Sequence, residues 1–467
     1  MLTAASPVRP LVAGRSNTLA SLSAGEFLDR LRRREITVLD YATACADVID
    51  LFEPDVRAWA WYSRAQFLGK AAKIDEALKA LDRDAHNGQA LPGLMTGVPV
   101  GVKDIFNTHD MPTGHGSDIF AEYTPGNDAR VVFNVRWQGG IVAGKTVTAE
   151  FAVHHAGATR NPYDGTRSCG TSSSGSAAAV AVGMVPVALS SQTAGSTIRP
   201  ASYCGIYGYK PSYGLLPRTA MLKTTDTLDT IGFMARSVQD LELLFEVLRV
   251  RGPNYPYVEQ AMNDPQRRWQ GDRPWRVGIL RGPKSSIESA AARNGVGRLA
   301  EALSRAGCHV EEFRLPPEFD RAHEVHETIY RRSLAYYFRL EWASSADKFS
   351  PRMAEMMAAG RQISVEQYQA ALAEQARLAA RFDEEMKRYD VALCPASADE
   401  APVGLNTPDP ADHSLIFTMC YAPSMAVPVM SGTTGLPLGA QITARRFNDY
   451  VLFDFAKMLT AIGMPSR

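Results

Sequence analysis

Apolar positions along this chain follow two rhythms. Short, mainly apolar runs recur at 98–102, 141–143, 185–189, 276–280, 391–394 and 425–429, the pattern of strands buried on both faces, and a further strand is expected at 309–313. Between them lie stretches whose apolar residues return every three or four positions, the spacing of one helix face. These are 64–82, 295–306, and a long tract over 318–388 that breaks near 344–351; a further helix, of small residues, is expected over about 176–182. Ser23 with Glu26, and Thr37 with Asp40, are capping-box signatures that predict two further helix starts. Residues 251–273 are rich in Pro, Asn and Arg and predict a surface connection. Residues 1–20 show no period and predict a loose N-terminal arm. Strands alternating with helices predict an α/β fold with a mixed, largely parallel sheet covered on both faces.

Composition narrows the function classes. The 467 residues carry 50 basic and 50 acidic side chains, so the formal net charge is zero. No basic excess points to nucleic acid, and a small neutral or amphipathic substrate is the default. The six cysteines (Cys45, Cys169, Cys204, Cys308, Cys394, Cys420) are sparse and lack C-x-x-C spacing, which predicts reduced, buried thiols. Neither a secretion-signal core nor a membrane-length apolar run is visible, so the expectation is a cytoplasmic protein with no membrane partner.

The densest chemistry lies in residues 169–205. A Ser/Gly loop, Cys169-Gly170-Thr171-Ser172-Ser173-Ser174-Gly175-Ser176, leads into a small-residue helix. Gly170-x4-Gly175 approaches a phosphate-binding loop, but Ser176 stands where the phosphate-neutralising lysine belongs, and the nucleotide reading fails. A second serine, Ser196, follows Thr193-Ala194-Gly195, where consecutive backbone N–H groups can converge on one oxygen. No G-x-S-x-G elbow with a spaced histidine is present, and Ser345-x-x-Lys348 sits in a polar break, where such a match arises by chance. Upstream, Lys103 closes the apolar run 97–102 and precedes Asp104. A lysine there is either paired with a carboxylate or desolvated and available as a neutral general base.

Residues 97–104, 170–183 and 193–205 together closely resemble the amidase signature hydrolases, which use a Ser–cisSer–Lys triad. Segments 143–146, 159–162, 208–214, 228–232 and 435–441 extend the resemblance over about 20–465, most weakly across 250–400. It implies a single catalytic domain over 21–467, its core at about 90–235, on the family's large mixed, mostly parallel twisted sheet sandwiched between helices. It also implies Lys103 as base, Ser172 as bridging serine behind a cis peptide, Ser196 as nucleophile, and an oxyanion hole from the N–H groups of Thr193, Ala194, Gly195 and Ser196. The expected pocket residues are Ser173, Gln192, His154, His155 and Tyr330. No metal or other cofactor is expected.

Three positions depart from the family pattern. Ser174 follows Ser173 where glycine is commoner, Gln192 stands where many members have Asp, and Ile198 occupies the usual arginine position with Arg199 next. The departures favour a stand-alone amidase, cleaving a small carboxylic amide through a serine acyl-enzyme, over a glutamine-using amidotransferase component. The alternatives are a carbamate or ester hydrolase of the same family and a partner-dependent protein of the amidotransferase type. Homodimers are common in the family.

Overall fold

The computed structural model describes residues 19–84, 91–153, 155–271 and 273–462. Most of the expected N-terminal arm and His154 therefore lie outside the described residues. Eleven strands form one sheet: β1 (Trp59–Tyr62), β2 (Pro99–Lys103), β3 (Ile141–Thr146), β4 (Val187–Gln192), β5 (Tyr207–Lys210), β6 (Thr230–Ala235), β7 (Arg276–Arg281), β8 (His309–Arg314), β9 (Val391–Pro395), β10 (Ser424–Ser431) and β11 (Pro437–Thr443). Their spatial order is β1-β3-β2-β4-β6-β5-β10-β11-β9-β7-β8. Every residue of β2, β3, β4 and β6 is buried, so both faces are covered where the sheet is central.

The mixed α/β architecture agrees with the sequence, but parallel pairing is less extensive than expected. It is confined to β3-β2-β4 and β9-β7-β8, and the other six neighbouring pairs run antiparallel. The reason is connection type. A parallel neighbour needs a long crossover, whereas β10 returns to β11 through the short turn at Gly432–Gly435. Both capping boxes form as expected, at Ser23/Glu26 and Thr37/Asp40. The 251–273 connection holds a short helix, Pro256–Asn263, begun by a proline in its first turn.

The helix Ser174–Ala181 explains how the Ser/Gly loop is held. All eight residues are buried, so it is a core helix with no solvent face. Ser176 donates to the Leu189 carbonyl on β4 at 2.8 Å and lies 2.7 Å from the Thr146 hydroxyl on β3. Gly175 lies so close to other backbone that a Cβ there would meet the Ala58 oxygen at 2.3 Å and the Val147 nitrogen at 2.4 Å. Neither contact is a flexible side chain that could yield. Gly175→Ala is therefore expected to cost about 1–3 kcal/mol, the range for overpacking a tight interior. A urea midpoint equal to that of the parent would contradict it.

Candidate active site

Lys103 is the last residue of β2, and Ser191 lies near the carboxyl end of the adjacent parallel strand β4. Carboxyl ends of parallel strands are where open α/β sheets place ligands. The side chain of Lys103 is fully buried. Its amine contacts three hydroxyls, with Ser172 at 2.7 Å, Ser191 at 2.8 Å and Ser173 at 2.9 Å. Ser173 in turn donates to the Ser191 carbonyl at 3.3 Å.

The neighbouring carboxylate does not neutralise Lys103. Asp104 turns the other way and pairs with Lys145 at 3.0 Å. Among the described residues no carboxylate lies within ion-pair distance of Lys103. Burial pushes its pKa well below the ordinary lysine value, opposed by the more distant charge of Asp229. Of the two readings open for this lysine, the desolvated one matches the geometry.

The Ser172 loop is shaped by Gly170, whose φ of +80° suits glycine, and by a cis peptide between Thr171 and Ser172. Ser172 is 1% exposed, so its hydroxyl is reached only from within the site. Ser196 faces a cavity of about 240 Å³ together with Thr171, Thr193, Ala194, Arg199 and Tyr330. No hydrogen bond links the Ser196 and Ser172 hydroxyls in this structure. Hydrogen bonds of a reaction site are often long without substrate and tighten when it binds.

The loop before Ser196 is held from several sides. Asp229 accepts from the hydroxyls of Thr193, Thr224 and Thr225 and from the backbone amides of Thr224 and Thr225. Gln192 Oε1 accepts from the amides of Thr197 and Ile198 at 2.9 and 3.0 Å, and its Nε2 donates to Thr418. Both ends of the amide are thus used, the oxygen accepting from two backbone N–H groups and the nitrogen donating to a hydroxyl.

The expected pocket residues divide. Tyr330 lines the cavity. Ser173 and Gln192 instead point inward as fully buried supports, one for Lys103 and one for the Ser196 loop. His155 is exposed and only its backbone carbonyl is used, accepting from Glu150 N–H. The wall near it is formed by Ala152 and Val153, and Ala152 is the second of two consecutive left-handed residues, Phe151 (φ 49°) and Ala152 (φ 58°). Such a conformation costs about 1–2 kcal/mol per non-glycine residue and is tolerated where the surroundings enforce it.

Several contributors carried no readable signal in the sequence. Arg199 donates to Asp412 at 2.7 Å and to Asp409 at 3.1 Å, all three nearly buried. The same Asp409 oxygen accepts the Thr171 N–H at 3.0 Å. Arg199→Met leaves two buried carboxylates without their cation, so a loss of about 3–5 kcal/mol is expected. Denaturant unfolding checks this, and an Arg199→Met/Asp412→Asn double variant should recover part of the loss.

With this geometry in view, the comparisons with known proteins are direct. The amidase family model matches residues 40–453. The chain belongs to the amidase signature family. Among curated relatives, a glutamyl-tRNA(Gln) amidotransferase subunit of Carboxydothermus hydrogenoformans is 31% identical, over 93% of this chain and 96% of its own length. The corresponding protein of Picosynechococcus sp. is 28% identical over 91% and 95%. Among solved structures, the native peptide amidase of Stenotrophomonas maltophilia superposes with a TM-score of 0.79 at 25% identity, covering 95% and 97% of the two chains. 6-Aminohexanoate cyclic dimer hydrolase gives a TM-score of 0.81 at 22% identity over 96% and 98%, a likeness of fold. Family membership places this amidase-family chain with amide-acting hydrolases and amidotransferases. No described helix is long and apolar enough to cross a membrane.

Proposed function

We propose that this chain is a stand-alone amidase that hydrolyses a carboxylic amide of a small molecule through an acyl-enzyme on Ser196. The observation that carries the reading is Lys103, a fully buried amine surrounded by three hydroxyls, with no carboxylate of the described residues within ion-pair distance. Desolvation favours the neutral form of that amine, the form a general base requires.

The sequence of steps conserves protons. Lys103 Nζ takes the proton of Ser172, Ser172 takes that of Ser196, and the Ser196 oxygen attacks the substrate carbonyl. The N–H groups of Thr193 to Ser196 bind the oxyanion. None of them donates to another protein group among the described residues, so all remain available. As the tetrahedral intermediate collapses, the C–N bond breaks and the proton returns through Ser172 to the departing nitrogen. Water then attacks the ester by the same relay and releases the carboxylate.

Gln192 and Ile198 depart from the family pattern, which weakens the case for partner-dependent amidotransfer and leaves hydrolysis favoured. The cavity of about 240 Å³ suits a small substrate. Purified chain, with no partner added, is expected to release amine from small chromogenic anilides and simple primary amides. Turnover of matched nitrophenyl esters or carbamates, with all amides inert, would favour the ester or carbamate alternative. Inertness toward the whole panel would favour a protein that works only with partners.

A further inference from the structure

The three peptide units from Thr193 to Ser196 are each gripped at the carbonyl, and each grip comes from a different element. The Thr193 carbonyl receives His326 Nε2 at 2.9 Å. A carbonyl only accepts, so Nε2 carries the proton. The Ala194 carbonyl lies 3.0 Å from the Thr418 hydroxyl, and the Gly195 carbonyl accepts the Arg199 N–H at 2.9 Å. The last contact is local, within the turn that opens the helix Ile198–Tyr203. The first two reach across the fold, from the helices Ala322–Tyr337 and Ser414–Met419.

A trans peptide is planar, with its C=O and N–H pointing in opposite directions. Fixing the Thr193 carbonyl therefore aims the Ala194 N–H, and fixing the Ala194 carbonyl aims the Gly195 N–H. Both N–H groups lack a protein acceptor among the described residues, and Ala194 lines the cavity. The Thr418 hydroxyl also lies 3.0 Å from the Ser414 carbonyl, so its one proton is shared between two acceptors. Gln192 Nε2, donating into the same oxygen at 3.1 Å, turns that proton away from itself and toward the carbonyls.

We propose that His326 and Thr418 are positioning residues that aim the Ala194 and Gly195 N–H groups at the developing oxyanion. The proposal rests on the reading of Ser196 as nucleophile. Neither side chain needs to touch the reacting atoms, because each acts through one peptide plane. A donor that swings away loses its contribution only in the transition state, where the oxygen carries charge.

The test uses full-length Thr418→Val, Thr418→Ser, His326→Phe and His326→Gln, on an anilide that the parent hydrolyses. Phenylboronic acid, which forms a tetrahedral adduct with a serine, serves as the second probe. In Thr418→Val and His326→Phe, kcat is expected to fall by about 10–100-fold, a fraction of what losing an oxyanion donor outright costs, with KM little changed. Boronic acid affinity should weaken by the same factor. Thr418→Ser and His326→Gln keep a donor at the same reach and should recover most of both. Unchanged kcat in the two donor-free variants, or a fall that the conservative variants share equally, overturns the proposal. The two residues sit on separate helices, so a folding defect at one leaves the other to decide, with melting temperature as the check. Ser196→Ala runs alongside. If it retains activity, the nucleophile reading itself fails. If it is inactive while Thr418→Val and His326→Phe are normal, only the positioning role fails.

Discussion

Lys103→Met should abolish turnover while leaving the protein folded, and it should remove the acid limb of the parent's pH–rate profile. Methionine keeps an unbranched side chain of similar length, so packing is nearly preserved and only the base is lost. Loss of the base in comparable serine relays lowers kcat by about 10⁴–10⁶-fold, and a similar fall is expected here. The parent's rate should decline as pH drops, because the amine works only when neutral and protonation removes it. A rate that shows no acid limb at any pH where the protein stays folded would contradict a lysine base.

Stability gives Lys103 a second, independent readout. Its folded pKa is depressed by burial, whereas the unfolded chain has an ordinary lysine. Between those two values the unfolded state binds more protons, so the parent loses stability as pH falls through that window. Below the folded pKa a buried charge is held without a counter-ion. Lys103→Met lacks this penalty, and its melting temperature should depend less on pH than the parent's. Activity lost with stability kept or gained marks a residue retained for chemistry. A less stable variant whose residual activity tracks its folded fraction would point to a structural lysine.

Ser196→Ala should be equally inactive, and it should lose covalent labelling. A serine-directed fluorophosphonate is expected to modify the parent at Ser196, as peptide mapping by mass spectrometry can show. No labelled peptide should appear in Ser196→Ala. Ser172→Ala separates the two serines, because it removes the proton bridge and leaves the nucleophile in place. Its labelling should be slow but directed to Ser196. Labelling of Ser172 in the parent would reverse the two assignments. The geometry bears on this point, since Ser172 lies 1% exposed against Lys103, whereas Ser196 lines the cavity.

The core of the site was legible because its chemistry is local. Lys103 ends a strand that is apolar throughout, and Ser172 and Ser196 sit in Gly/Ser turns bracketing a small-residue helix. Each is marked by its immediate neighbours as a candidate, and the resemblance to the amidase signature hydrolases supplied the roles proposed for them. Their supports were not legible for the opposite reason. His326 and Thr418 lie on ordinary amphipathic or short helices, and Asp409 and Asp412 lie in a polar segment that reads as a surface loop. Nothing near any of them in the chain reveals that it meets residues 171–199. Gln192 and Ser173 were located in the right neighbourhood but assigned to the wrong side of the wall. Burial alone distinguishes a lining group from a supporting one, and a polar residue at a strand end or in a loop gives no sign of it.

The α/β class was read correctly, and the strands that went unread were missed for an equally physical reason. β1 (Trp59–Tyr62) and β5 (Tyr207–Lys210) are four residues long, too short for a period to emerge. β6 (Thr230–Ala235) and β11 (Pro437–Thr443) contain glycines that weaken any strand signal. Missing β5, β6 and β11 also removed most of the antiparallel pairs from view, which left the expected sheet too parallel.

Asp409 ties two distant stretches of chain together through one carboxylate oxygen, which holds the Thr171 amide and the Arg199 guanidinium at once. The gap between the two serine-bearing turns is consequently governed by a segment that contains neither serine. Substitutions around residues 409–412 can widen or narrow that gap while both signature motifs stay intact. If Ser172 and Ser196 act as proposed, reactivity can thus be retuned from a stretch that is distant in the chain yet lines the same cavity, and intact motifs alone do not guarantee that two copies of this fold work at the same rate.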